Sequence, residues 1–233
     1  MRFSANSALP LLAAAILAFS AACGSGSEAG PATATPTPES IADRVAGSPI
    51  EGLPVEGTFI GRADAPVLIE MYEDFGCPHC LAFTADLEPH LLEDYVKPGK
   101  VRLQYRFFPL RQLTANAAIA AYCASEQDLF WPYHKELFLA QAEASAGSGP
   151  PLTEAFDIPA LRSLAGELGL DLASFDACTS SDRVIDVVTE DLRMATELNL
   201  PGTPSFVING EVIRNVPNSR QAWSDLLEPL IRK

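Results

Sequence analysis

The chain has 233 residues, a formal net charge of −14 and 48% apolar residues. That length suits one domain carrying an insertion, or two small domains, with enough apolar side chain to build a core without disulfides. So acidic a surface exerts no pull on the phosphates of nucleic acid or on anionic lipid, and nucleic acid is not an expected partner.

Residues 1–22 read as a signal peptide. Arg2 supplies the positive start, and LPLLAAAILAFSAA (9–22) is an apolar run of signal length rather than membrane-spanning length. The run ends in SAAC, which resembles a bacterial lipobox with Cys23 as the lipidated residue, although Ser20 stands where that pattern usually has Leu. The competing assignment is ordinary cleavage after an A-x-A-like site, which gives a secreted or periplasmic soluble protein. Lipidation accounts for the odd member among Cys23, Cys77, Cys80, Cys123 and Cys178. GSGSEAGPATATPTPES (24–40) has almost no bulky apolar residues and reads as a flexible tether. Residues 23–54 are therefore expected to be a lipidated cysteine, tether and arm that hold an extracytoplasmic domain at a bacterial membrane.

VEGTFIG (55–61) reads as a short edge strand and APVLIEMYED (65–74) as a buried strand. In CLAFTADLEPHLLEDYV (80–96), Leu81, Leu87, Leu91, Leu92 and Tyr95 recur at helical spacing. KPGK (97–100) is a turn, and VRLQYRFFPL (101–110) alternates like a strand. This is one βαβ unit. Residues 113–200 read as a run of helices with no strand among them. SFVING (205–210) and EVIRN (211–215) then form a hairpin about Asn209-Gly210, and SRQAWSDLLEPLIRK (219–233) closes the chain as a helix. With the helical block lifted out, a small α/β sandwich remains.

The first βα turn carries DFGCPHC, with Cys77 and Cys80 three residues apart. A strand running into a helix start exposes Cys77 and puts Cys80 one turn in, against the core. The free N–H groups and partial positive charge of the helix end favour a thiolate at Cys77. Pro78 suits the first helical position, where an N–H has no partner anyway. His79 adds a hydrogen bond or positive charge to the same thiolate. All of this favours the reduced, ionised pair, and a pair so favoured is a strong oxidant as its disulfide.

Other roles compete. Zinc needs four ligands, and Cys77, His79 and Cys80 do not supply a set, nor do His90 and His134 have a second C-x-x-C to join. Cu(I) suits thiolates, yet no Met-rich or second His cluster accompanies them. A C-x-x-C loop closes too little chain to brace a fold. A chaperone-like holder remains as an option that needs no thiol chemistry. No metal and no cofactor is expected.

The second informative stretch is PGTPSFVING (201–210), where Thr203-Pro204 precedes a strand and a sharp turn there calls for a cis bond. EDFGCPHC (73–80), FWPYHKELF (130–138) and GTPSFVING (202–210) together resemble the DsbA-like thioredoxin-fold proteins over roughly residues 55–233. The resemblance implies an α/β thioredoxin fold with an inserted all-helical domain, divided as 55–112, 113–200 and 201–233. It implies Cys77 as the sulfur of the mixed disulfide, Cys80 as the resolving one, and Pro204 as a cis-proline facing them. Thr203 would pair its backbone with an extended substrate segment. The implied partners are cysteine-containing exported proteins and a membrane reoxidant linked to quinone. Two departures stand out. Thr203 is also the residue type of the isomerase and reductase branches, and Met71 occupies the strand position where many members carry an acid. The adjacent Glu70 should face the other way.

Phe75, beside the cysteines, is expected at the surface, gripping substrate. The aromatic residues of FWPYHKELF and His134 are expected to pack the helical block. Cys123 and Cys178, left over in an oxidising compartment, are expected to pair, as some members of the family do, closing a loop that contributes about 3–4 kcal/mol. The alternative is two buried free thiols. The leading function is therefore an exported thiol:disulfide oxidoreductase that donates its CPHC disulfide. A reductase or isomerase of the same fold, or a copper-delivery lipoprotein, stands as the alternative. If Cys23 is lipidated, the mature protein will fractionate with membranes and Cys23→Ser will release it; a wild type already in the soluble fraction would exclude the anchor.

Overall fold

The computed structural model describes residues 39–232, so the expected signal peptide, Cys23 and most of the expected tether lie outside the described residues. Helix α1 (Ile41–Ala46) comes first, in a stretch expected only as an arm. Ser40 and Asp43 cap it reciprocally, with Ser40 Oγ accepting from Asp43 N and Asp43 accepting from Ser40 N, so two orphan donors are satisfied at once. Residues 55–61 form two short strands rather than one, β1 (Val55–Glu56) and β2 (Phe59–Ile60). They are paired antiparallel, and Gly57 turns between them at φ 57°.

Strand β3 (Val67–Glu73) runs into α2 (Pro78–Asp86). The helix expected to continue to residue 96 breaks near Leu87 (φ −118°), because Pro89 has no N–H to donate back into the preceding turn. A short α3 (Glu88–Leu91) follows, then one wide turn over Leu92–Val96 that Lys97 N closes on Leu92 O at 2.8 Å. Strand β4 (Val101–Phe107) ends two residues before Pro109. Helices α4 (Gln112–Ser125), α5 (Phe130–Ala146), α6 (Leu152–Ala155), α7 (Ile158–Glu167), α8 (Leu172–Thr179) and α9 (Asp182–Glu197) then succeed one another. The chain closes with β5 (Ser205–Ile208), β6 (Glu211–Val212) and α10 (Arg220–Ile231).

The strand order is β1-β2-β4-β3-β5-β6. β3 and β4 are parallel and every other pairing is antiparallel. β3 lies between β4 and β5, so its C-terminal end is fixed from both sides. Alternation along β3 sends Ile69, Met71 and Glu73 to one face and Glu70 and Tyr72 to the other. On the first face Phe83 of α2, Phe206 of β5 and Trp223 of α10 pack with ring centroids 4.8–6.1 Å apart. On the second, Tyr72 and Val207 pack against Ala195 of α9.

Arg106 binds α9 to that second face. It donates to Glu70 at 2.7 and 2.9 Å and to Asp191 at 3.1 Å, while the other oxygen of Asp191 accepts from Phe107 N at 2.8 Å. Burial raises the Asp191 carboxyl, and the Phe107 N–H and Arg106 oppose that shift. Losing one partner would strand the other charges, which is costlier than the network is stabilising. Within the helical run, Cys123 of α4 and Cys178 of α8 are bonded (S–S 2.01 Å) across a separation of 55 residues. The loop-entropy relation gives that crosslink about 4 kcal/mol. Replacing both cysteines with serine should lower the free energy of unfolding by about that much, measured by urea denaturation of the oxidised protein.

Candidate active site

Cys77 is the N-cap residue of α2, with extended backbone (φ −84°, ψ 122°), and Pro78 opens the first turn. Hence the N–H groups of His79 and Cys80 point toward the Cys77 sulfur with no helical acceptor of their own. Cys77 is 8% exposed and Cys80 0%; both are free thiols. The Cys77 thiol is lowered to about 5, first by a hydrogen bond from the Cys80 thiol. The Thr203 side chain and the N–H groups of Cys80 and His79 add to this, against the cost of burial. Cys80 goes the other way, well above the ordinary thiol value, through burial first, then the bond to Cys77 and the nearby charges of Glu73 and Cys77. One sulfur is thus an ion at neutral pH and its neighbour a neutral thiol.

The peptide bond between Thr203 and Pro204 is cis. It follows Gly202, whose φ of 152° is one that residues with a Cβ rarely adopt. This turn brings the Thr203 carbonyl to 3.3 Å from Cys77 Sγ, an acceptor for the protonated thiol. The Thr203 hydroxyl is buried with no hydrogen-bond partner among the described residues, and it helps to lower the Cys77 thiol. His79 and Pro78 are exposed. His79, Phe83, Leu87, Thr203, Pro204 and Val216 line an open groove of about 320 Å³ beside Cys77.

Phe75 is not where the sequence expectation put it. It is 1% exposed, stacked on Tyr105 at 5.1 Å and packed against Phe138 at 5.2 Å. Strand β3 has already ended there, and the turn into α2 tucks the ring inward, so Phe75 braces the site from beneath and does not touch substrate. His134 is a core residue, 1% exposed, with Phe75, Tyr105 and Phe138 around it.

Three acidic residues that pattern reading passed over shape the site. Asp74 holds the turn. One of its oxygens accepts from Gly76 N at 2.8 Å, the other from Leu110 N at 2.7 Å and Thr114 Oγ1 at 3.2 Å, and its carbonyl accepts from Cys77 N at 2.9 Å. Gly76 must be glycine here because a Cβ would stand 2.6 Å from the Thr114 methyl. Glu73 is 1% exposed, and neither of its carboxyl oxygens has a hydrogen-bond partner in the fold. Burial pushes its carboxyl well above the usual range, and the charges of Glu88 and Cys77 add to the shift. Glu88 is 0% exposed and equally unpartnered, and burial pushes it up to about 8. The available signal was period two: Glu73 lies two residues beyond Met71, hence on the same face of β3. Glu70 sits on the opposite face, engaged with Arg106.

A family model described as thioredoxin matches residues 54–229. Among curated proteins, the chain is 29% identical over 157 residues to the probable disulfide bond formation protein D of Bacillus anthracis, covering 66% of this chain and 70% of that protein. It is 26% identical over 182 residues to disulfide bond formation protein D of Bacillus subtilis, covering 74% and 75% respectively. Among solved structures, oxidised BdbD from Bacillus subtilis superposes with a TM-score of 0.65 at 21% identity, over 76% of this chain and 94% of that one. At that identity the superposition speaks for the fold.

Titrating the reduced protein by thiolate absorbance should give Cys77 a pKa of about 5 and Cys80 one well above the ordinary thiol value. Thr203→Val should raise the Cys77 value, since the Thr203 side chain helps to hold it down. A group lowered on folding adds stability that is fully present above its unfolded value. The reduced protein should therefore gain stability over the oxidised one as pH climbs from about 5, and lose that gain as pH falls back through 5.

Proposed function

The chain belongs to the thioredoxin family, among its DsbA-like thiol:disulfide oxidoreductases, with a helical insertion in the thioredoxin fold, and we propose that it donates the Cys77–Cys80 disulfide to cysteine pairs of exported proteins. The observation that carries this direction is the unequal pair of sulfurs: a Cys77 thiol lowered to about 5 beside a buried, neutral Cys80. Stabilising the Cys77 thiolate stabilises the reduced enzyme, and a stabilised reduced form makes its disulfide oxidising.

A substrate thiolate attacks Cys77 Sγ. The Cys77–Cys80 bond breaks, its electron pair goes to Cys80, and a mixed disulfide joins substrate to Cys77. Cys80 is a poor leaving group as a buried ion, so it must be protonated as it departs. Glu73, buried and with its carboxyl raised well above the usual range, is the donor this reading assigns. A second substrate thiolate then attacks the substrate sulfur of the mixed disulfide. Cys77 leaves as the thiolate that the helix N-terminus and Thr203 stabilise, the substrate disulfide is complete, and the enzyme is reduced by two electrons.

The exposed groove at His79, Thr203 and Pro204 fits an extended substrate segment pairing with the Thr203 backbone. In this reading residues 55–112 and 201–233 are the thioredoxin-like part and 113–200 the inserted helical part. The protein works outside the cytoplasm, tethered through Cys23, and a membrane protein that passes electrons to quinone reoxidises it. Thr203 before the cis-proline favours one second reading, an isomerase or reductase of the same fold.

The Cys77/Cys80 reduction potential separates the two. A value near thioredoxin's, roughly −270 mV, would support the reductase or isomerase, and a value well above it, toward roughly −120 mV, the donor. In the same preparation Glu73→Gln should slow mixed-disulfide formation with a small thiol by about 10²-fold at neutral pH. A wild-type rate would remove Glu73 from the proton step.

A further inference from the structure

Glu88 and His134 take no part in the steps above, yet both are buried, and the charge of Glu88 acts on Glu73. Glu88 opens α3 and His134 sits on the second turn of α5, in the helical run. Both side chains are 1% exposed, and His134 Nε2 lies 3.7 Å from Glu88 Oε2. Among the described residues neither Glu88 oxygen nor His134 Nε2 has a hydrogen-bond partner, and the same holds for both Glu73 oxygens and for Tyr105 OH. Tyr105 ties these groups together. Its ring is 5.4 Å from that of His134, and its hydroxyl feels the charges of Glu73, Cys80, Asp74 and Glu88. The charges acting on Glu73 are those of Glu88 and Cys77, both negative.

This arrangement has a consequence for charge. With the disulfide closed, a proton on each carboxyl would keep the buried group neutral. When Glu73 protonates the departing Cys80, one negative charge is left inside the protein, close to Cys77, which itself becomes a thiolate in the second exchange. Two like charges in so dry a place are unfavourable. A second carboxyl farther from Cys77 gives the charge somewhere to go.

We propose that Glu88 and His134 form, with Glu73, a proton-sharing group that moves this charge away from the sulfurs. The inference rests on Glu73 being the donor to Cys80. Glu88 gives its proton to Glu73, so Glu73 is again a neutral acid and Glu88 a carboxylate, with protons and charge conserved. The Glu88 carboxylate faces His134, which as its Nε2–H tautomer donates to it and stays neutral. When the enzyme is reoxidised the sequence reverses: Cys80 returns its proton to Glu73 and Glu73 returns one to Glu88. Glu88 and His134 act through Glu73 and are positioning residues. Because His134 belongs to the helical run, that run supplies part of the proton chemistry as well as a cover for the site. The burial shifts agree with these protonation states, Glu88 up to about 8 and His134 down to about 3.

Infrared difference spectra of the full chain, reduced minus oxidised, read protonated carboxyls directly. The oxidised wild type should show two protonated-carboxyl bands at neutral pH, and reduction should remove one and leave one. Glu88→Gln should abolish one of the two bands and leave the charge on Glu73, slowing mixed-disulfide formation several-fold. Its pH profile should lose the ionisation near 8. His134→Gln should shift the Glu88 band without removing it. A single band in the oxidised wild type overturns the inference whether or not the variants fold. A band lost in Glu73→Gln but none in Glu88→Gln overturns it and spares the donor role of Glu73. A band lost in Glu88→Gln but none in Glu73→Gln overturns the donor role on which it rests.

Discussion

The site depends on one asymmetry: two sulfurs three residues apart in sequence sit in opposite electrostatic surroundings. Cys77 caps α2 from outside the helix and receives donors. Cys80 is one turn in, at 0% exposure, where a charge is unfavourable. A helix turn of 5.4 Å is enough to separate water and free N–H groups from a dry core. Each sulfur therefore has one comfortable state, an ion for Cys77 and a neutral thiol for Cys80. Disulfide exchange proceeds by switching which of them leaves.

Such an asymmetry survives only if the helix start cannot wander. β3 is held between β4 and β5, so its last residues are fixed. Asp74 then gathers Gly76, Cys77, Leu110 and Thr114 about a single carboxylate and backbone carbonyl. The opposite wall comes from a distant part of the chain, where β5 delivers the cis Thr203–Pro204 turn to Cys77. The Arg106, Glu70 and Asp191 network fastens α9 to the far face of the sheet, and α9 leads directly into that turn. The thiol's surroundings are thus assembled from three segments that only the sheet brings together.

Beneath the sulfurs the protein holds buried acids without hydrogen-bond partners, an arrangement that costs stability and is tolerated where it serves chemistry. Glu73 was easy to overlook. It follows an apolar strand, lies two residues past the position where an acid is common in similar chains, and looks like the polar end of β3. Its role comes from its burial, which only the tertiary fold sets. Glu88 was harder still, since a glutamate before a proline at a helix start reads as a solvent-facing cap. The break at Leu87 and the packing of α5 turn it inward, a rotation that periodicity in residues 80–96 does not show.

Local chemistry, legible residue by residue, marked the strand-to-helix cysteine turn, the hairpin at Asn209-Gly210 and the helical run, because each depends on neighbours close in the chain. The same holds for the proline that starts α2. Burial at Phe75 and Glu88 was legible nowhere in the sequence, and at Glu73 only as a position on one face of β3, because it is set by which distant element covers a residue, and a polar or aromatic side chain carries no mark of that. The chemistry of the two sulfurs could be read from their own turn; the acids and the histidine acquired theirs in the tertiary fold, where α5 packs its rings against Phe75 and against Tyr105 and Phe107 of β4.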